Sequence, residues 1–184
     1  MSRIIAGKFK GRRLTVPKGM DIRPTTDQMR ERLFSMLNHA RYPNIQGARV
    51  ADLFAGTGAL GLEALSRGAK EVVFVEKSAS SITTLKSNIT TLGAVAETHI
   101  HQGNAQILPL ATEPYSFIFM DPPYRQGLVE PTLKNIITNK WLAKGGVIVC
   151  ELATDETLTL PPELTLIDER TQGQQRVLFL IFGN

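Results

Sequence analysis

Two uninterrupted apolar runs, Val72-Val73-Phe74-Val75 and Phe117-Ile118-Phe119-Met120, constrain this chain more than any other feature. A strand that is apolar at every position must bury both faces, and it does so in a mostly parallel sheet covered by helices on both sides. From Arg49 onward the sequence alternates in the way such a sheet requires. Strands are expected at 49–54, 71–76, 97–101, 116–121, 146–151, 164–168 and 176–182. Helices are expected at 60–66, at 80–92 with Ile82, Leu85, Ile89 and Leu92 on one face, in a short segment at 105–110, and at 128–139. Between the last two strands stands only the polar turn Gln172-Gly173-Gln174, so they should pair as an antiparallel hairpin at one end of the sheet. The expected fold is α/β and Rossmann-like: a doubly wound, mostly parallel seven-stranded sheet with a terminal antiparallel hairpin.

Ahead of it, 4–9 and 12–16 read as two short strands around Lys10-Gly11, and Thr25-Thr26-Asp27 caps a helix carrying Met29, Leu33, Met36, Leu37 and Ala40. The sequence thus divides into a basic hairpin and helix over 1–45 and a larger domain over 46–184, whose core should fold without the hairpin. Charge follows the same division. Residues 1–41 carry ten Lys or Arg against three acids, a net +7, and the remainder nets −3. A basic arm on a mildly acidic body suits a phosphate backbone, the alternative being a merely soluble lysine-rich surface. Candidate RNA contacts are Arg3, Lys8, Lys10, Arg12, Arg13, Lys18, Arg23 and Arg30.

Composition narrows the classes further. At 42% hydrophobic and 21% charged the chain is a folding one, and it contains no apolar run of ~18 residues that would span a membrane. The lone Cys150 has no disulfide partner, and His39, His99 and His101 lack metal-ligand spacing, so no metal is expected and a reducing cytoplasm is.

The segment Asp52-Leu53-Phe54-Ala55-Gly56-Thr57-Gly58-Ala59-Leu60-Gly61 ends the first sheet strand and opens a helix. Glycines there let a ligand approach the backbone, and the free N–H groups of the helix start attract electron-rich groups. Gly56, Gly58 and Gly61 spell G-x-G-x-x-G, and Glu76, twenty residues beyond Gly56, ends the second strand where an acid binds ribose hydroxyls. A nicotinamide enzyme is therefore one reading, and a tight structural turn another. Asp52 favours a third, because an acid beside the loop repels a pyrophosphate but suits the ammonium and sulfonium groups of S-adenosylmethionine.

Asp121-Pro122-Pro123-Tyr124 follows the fourth strand, at the carboxyl edge where open α/β sheets build their sites. Two prolines fix φ and remove two donors, leaving acceptors in a rigid corner. The Asp121 carboxylate and Pro122 carbonyl could accept the protons of an exocyclic amine and aim its lone pair at a methyl donor, while Tyr124 stacks on the base. A rigid turn with an incidental acid is the plainer alternative.

These two segments resemble motifs I and IV of class I S-adenosylmethionine-dependent amino-methyltransferases. With Arg3-Ile4-Ile5-Ala6-Gly7, Lys10-Gly11-Arg12, Arg23-Pro24-Thr25, Arg30-Glu31 and Leu33-Phe34, they resemble the bacterial RsmD family, 16S ribosomal RNA guanine-N2 methyltransferases, over nearly the whole chain. The resemblance implies methyl transfer to a guanine N2 in 16S ribosomal RNA. It implies catalysis by Asp121, Pro122, Pro123 and Tyr124, with the cofactor held by Asp52, Phe54, Ala55, Gly56, Thr57, Gly58, Glu76, Asn104 and Ala105. Asn104 stands where the wider class often has Asp. A monomer acting on a small-subunit particle, with no membrane, is the expected setting. The competing readings are an amino-methyltransferase for DNA or a protein glutamine, a nicotinamide oxidoreductase, and a non-catalytic assembly factor that binds RNA through its arm.

Overall fold

In the computed structural model, which describes residues 2–17 and 27–183, strands and helices alternate as the apolar runs require. The elements are β1 Ser2–Arg3, β2 Arg13–Leu14, α1 Asp27–Leu37, β3 Arg49–Leu53, α2 Ala59–Ser66, β4 Glu71–Glu76 and α3 Ala79–Leu92. They continue with β5 Thr98–Gln102, β6 Tyr115–Met120, α4 Val129–Thr138, β7 Leu142–Ala153, β8 Leu164–Gln172 and β9 Gln175–Phe182. The main sheet has seven strands in the order β5-β4-β3-β6-β7-β9-β8, parallel from β5 to β7. β9 runs antiparallel to both β7 and β8, so the expected terminal hairpin is present, with β8 at the sheet edge.

Side chains alternate between two cores. On one face Val50, Phe74, Phe117, Phe119, Val147, Val149 and Phe179 pack under α1, α2 and α3, and Phe34 of α1 sits 5.5 Å from the Phe119 ring. On the other, Leu53, Ile118, Met120, Ile148, Cys150 and Leu180 pack with Leu133 and Ile136 of α4 and with Trp141. Both faces are covered, which is why these strands carry no polar alternation. Helix boundaries follow local chemistry: the Ser78 hydroxyl accepts from Ser81 N at 3.4 Å to start α3, and Gly93, at φ 69°, ends it.

Two expectations change. Residues 105–110 form a turn and an irregular segment, not a helix: Leu108 N donates to Asn135 Oδ1 at 2.7 Å and not back to Asn104 O, Pro109 has no N–H to offer, and Ile107 is left 74% exposed. The N-terminal strands differ as well: the paired residues are Ser2–Arg3 and Arg13–Leu14, so 4–9 holds no strand, and although Ile4 still bonds across to Arg12 and Gly11, the chain from Ile5 onward bonds to α2. Ile5 N and Ala6 N donate to the Glu63 carboxylate at 2.8 and 3.0 Å, Lys8 N donates to Ser66 O, and Phe9 N to Ser66 Oγ. Gly7, at φ 80°, passes so close that a Cβ would lie 1.8 Å from Ser66 O.

The hairpin therefore belongs to the domain's core. Ile4 and Leu14 join the same buried cluster as Val50 and Phe117, and each such side chain contributes ~1.5–3 kcal/mol on burial. The hairpin thus shares one buried cluster with the rest of the chain. Glu63 is 0% exposed and holds two backbone donors and Arg67 Nε at 2.7 Å. Glu63→Gln, which sets an amide N–H against those donors, should cost ~1–3 kcal/mol. In a thermal melt that is a fall of roughly 2–12 °C for a domain this size, and an unchanged melting temperature would show that the clamp is dispensable.

Candidate active site

The strand order reverses between β3 and β6, and the loops that leave these two strands carry the glycine segment and Asp121-Pro122-Pro123-Tyr124. Register fixes what stands beside what. Leu53 pairs with Val75 and with Met120, Glu76 pairs with Gln102, and Met120 pairs with Cys150. Gln102, Glu76, Phe54, Asp121 and Glu151 thus stand side by side across five neighbouring strands in a row of roughly 19 Å, at ~4.8 Å per strand, with β7 running on to Ala153. That span accommodates a nucleoside cofactor next to a second reactant.

Glu76 ties the glycine-loop side together. Its carboxylate accepts from Gly56 N at 2.9 Å and from Ser78 N at 2.8 Å, and its own carbonyl takes Gly103 N at 3.0 Å. The loops after β3, β4 and β5 therefore meet at one residue. Phe54, half-buried, holds φ 62°, a left-handed backbone unusual for an aromatic residue. The glycines divide the work. A Cβ on Gly56 would meet nothing within 4 Å, so this loop faces open space. A Cβ on Gly58 would lie 2.4 Å from Leu85 Cδ1, and one on Gly61 2.4 Å from Phe74 Cε1, so those two let α2 pack. Ala55 and Thr57 are buried, and Thr57 O accepts from Asn88 Nδ2 at 3.0 Å.

Asp52 lies deeper than the sequence implied. At 2% exposure its carboxylate accepts from Gly61 N at 2.9 Å and holds the first turn of α2. Burial pushes its carboxyl up to about 8, against the lowering effect of the Gly61 N–H and with the help of the Glu76 charge. Asn104 is exposed, its Oδ1 taken by Gln106 N, and Ala105 is buried in the second core.

On the other side of the reversal Asp121 is half-buried, Pro122 buried and Pro123 exposed. Tyr124 donates its hydroxyl to the carboxylate of Glu151, the residue after Cys150 on β7. Sequence reasoning passed over Glu151. The signal was available, since an acid ending a parallel strand is the pattern that picked out Glu76.

Among the candidate RNA contacts, Arg3, Lys8, Lys10, Arg12 and Arg13 are exposed. Arg3 pairs with Asp27 at 3.0 Å, Lys8 with Glu97 at 3.1 Å, and Arg12 donates to Thr91 O at 2.5 Å. Arg30 is corrected: 1% exposed, its guanidinium donates to Ser2 Oγ, Arg3 O and Asp27 Oδ1 and fastens β1 to α1, out of reach of a phosphate. Lys18 and Arg23 lie outside the described residues.

A family model described as "Conserved hypothetical protein 95" matches residues 2–181. Ribosomal RNA small subunit methyltransferase D of Escherichia coli K12 is 39% identical over 173 residues, covering 94% of this chain and 85% of the relative. The protein of that description from Haemophilus influenzae is 37% identical over 175 residues, covering 93% and 89%. The chain belongs to the RsmD family. Among solved structures, yhhF from Escherichia coli superposes on this RsmD-family chain with a TM-score of 0.87 at 36% identity, covering 99% of this chain and 98% of the other. The hypothetical protein TTHA0928 from Thermus thermophilus gives 0.79 at 30%, covering 99% of both chains. The family assignment removes the nicotinamide reading of the glycine loop.

Asp52 makes the site testable by pH. Its folded value lies above its unfolded one near 3.9, so the stability held by its protonated form is complete below about pH 4 and lost as pH rises through about 8. Asp52→Asn retains an acceptor for Gly61 N and has no charge to desolvate. In urea unfolding, the variant should therefore gain on the parent from pH 5 to pH 8, and a difference that stays flat would mean that Asp52 is ionised throughout.

Proposed function

We propose that this chain transfers a methyl group from S-adenosylmethionine to the exocyclic N2 of a guanine in 16S ribosomal RNA. The observation that carries the reading is the row of strand ends, which sets the Gly56 loop and Glu76 beside Asp121 and Tyr124 across the sheet reversal. The residues fit the cofactor: open backbone at Gly56, a carboxylate at Glu76 for ribose hydroxyls, and an anion in reserve at Asp52 for positive charge. Phe54, Ala55, Thr57 and Gly58 shape the loop, and Asn104 and Ala105 border the adenine. When bound, S-adenosylmethionine supplies an electrophilic methyl group on a sulfonium sulfur.

The chain's own part is mostly positioning. Asp121 and the Pro122 carbonyl accept the two N2 protons, Pro123 stiffens the corner, and Tyr124 stacks on the base. On accepting the methyl group the N2 amine has one proton to lose, and the Asp121 carboxylate would hold it before it passes to water. Asp121→Ala should lower kcat by ~10² or more with cofactor affinity within about threefold, read by methyl transfer beside calorimetry. Mass spectrometry of ribosomal RNA nucleosides from cells with and without the gene identifies the product. An ordinary rate in Asp121→Ala, or an unaltered N2-methylguanosine content, would overturn the reading.

Residues 1–45 serve the RNA and 46–184 the methyl transfer, a division of role laid over a shared core. Exposed Lys10 and Arg13 make none of the ion pairs found among the described residues. The protein acts as a cytoplasmic monomer on a small-subunit particle; no helix among the described residues is long and apolar enough to cross a membrane. If Lys10 and Arg13 each meet a phosphate, changing both to Gln should reduce the slope of log K against log salt by roughly 1.4–1.8. Cofactor calorimetry should not move. A salt slope equal to the parent's would remove these two residues from the RNA interface.

A further inference from the structure

Where the β6–β7 ladder stops, a second carboxylate stands beside Asp121. Met120 pairs with Cys150, so Asp121 and Glu151 stand one position beyond that pair on adjacent strands, ~4.8 Å apart along the sheet. Glu151 shares its sheet face with Val147 and Val149, the face that α1 covers. It is 9% exposed, and its Oε1 accepts the hydroxyl of Tyr124, the ring assigned to stack on the base. A buried acid inside β7, bonded to the residue assigned to stack on the base, is not required by the sheet, which uses apolar side chains at the positions before and after it.

We infer that Glu151 is the residue that makes this site select guanine. Resting on the proposed function, the argument adds the hydrogen-bonding chemistry of the base edge. In adenine and cytosine the exocyclic amine lies next to a ring nitrogen that accepts. In guanine the N2 amine lies between N3, which accepts, and N1–H, which donates, and the proposed pose turns the N1 side toward Glu151. With the amine held by Asp121 and the Pro122 carbonyl, the adjacent carboxylate of Glu151 meets a proton in guanine and a lone pair in the other two. That contact attracts one base and repels the others. A carboxylate has about four acceptor positions, so the Tyr124 hydroxyl and the guanine N1–H can share it. Through the first Glu151 fixes the stacking ring, and through the second it reads the base.

The test replaces the methylated guanine, once located, by 2-aminopurine in reconstituted small-subunit particles. This base keeps the 2-amino group but carries a lone pair at N1. The parent should prefer guanine in kcat/KM by roughly 100-fold or more. Glu151→Gln, whose amide can donate to that lone pair, should shrink the preference at least tenfold. Tyr124→Phe should lower turnover and keep the preference, which separates reading the base from anchoring the ring. If Glu151→Gln melts well below the parent, Glu151→Asp, a shortened carboxylate, should reduce the preference in its place. An unchanged preference in the folded Glu151 variant, including equal losses on both bases, overturns the inference while the proposed function stands. A parent that leaves guanine unmethylated overturns both.

Discussion

The chemistry of this chain depends on one topological constraint, the reversal of strand order between β3 and β6. After β3 the chain builds outward through β4 to β5, then crosses back to lay β6 and β7 on the other side. The loops that follow β3 and β6 therefore run apart and leave a crevice over adjacent strand ends. Because β3 to β7 are parallel, every acid at or near the carboxyl end of one of them faces the same edge. Glu76, Asp121 and Glu151 converge without any being near another in sequence. Below them Leu53, Ile118 and Met120 on one face, and Phe117 and Phe119 on the other, keep the strand ends from shifting.

The glycine-loop side stores backbone strain at Phe54. A left-handed non-glycine backbone costs on the order of 1–3 kcal/mol and persists only if its neighbours over-determine it. Around Phe54 they do: Ala55 N donates to Val75 O, Gly58 N to Ala55 O, and Gly56 N to the Glu76 carboxylate. The G-x-G-x-x-G spelling thus hides unequal roles. Gly58 and Gly61 answer to Leu85 and Phe74, and Gly56 alone among the three answers to empty space.

Legibility in the sequence tracked how far each feature depends on its own neighbours. The apolar runs of β4 and β6 and the turn between β8 and β9 are local, and the fold class followed from them. Glycine and proline spacing likewise exposed the two loops at the reversal. What failed was set by distant partners. The expected strand at 4–9 was lost because Glu63, 58 residues from Ile5, and Ser66 draw the backbone of residues 5–9 onto α2. Arg30 reads as one more cation until Ser2, Arg3 and Asp27 are seen around it. The 105–110 helix was lost to Pro109, which has no N–H to donate, and to a distant partner, Asn135, which takes the Leu108 N–H. Glu151 escaped because its meaning lies in Tyr124, 27 residues earlier.

The N-terminal segment shows how binding and folding can share residues without conflict. Its backbone is committed to the domain, at Glu63 and Ser66, while its cations point outward. The tip meets Ser66 and Thr91 at the C-terminal ends of α2 and α3, and the chain then returns to the glycine loop, where Thr15 N donates to the Asn88 side chain that also holds Thr57 O. The tip and Gly58 are thus separated by the length of α2, about 12 Å for eight residues. Under the proposed function, an RNA that engages both must span that distance, so phosphate attraction at the tip and base placement at the strand ends act on different parts of one substrate. Attraction at the tip is the same before and during methyl transfer and falls on KM, whereas placement by Asp121 matters as the bond forms and falls on kcat. The fold keeps these contributions apart because the hairpin is fastened to the outer helices and the reacting groups to the sheet.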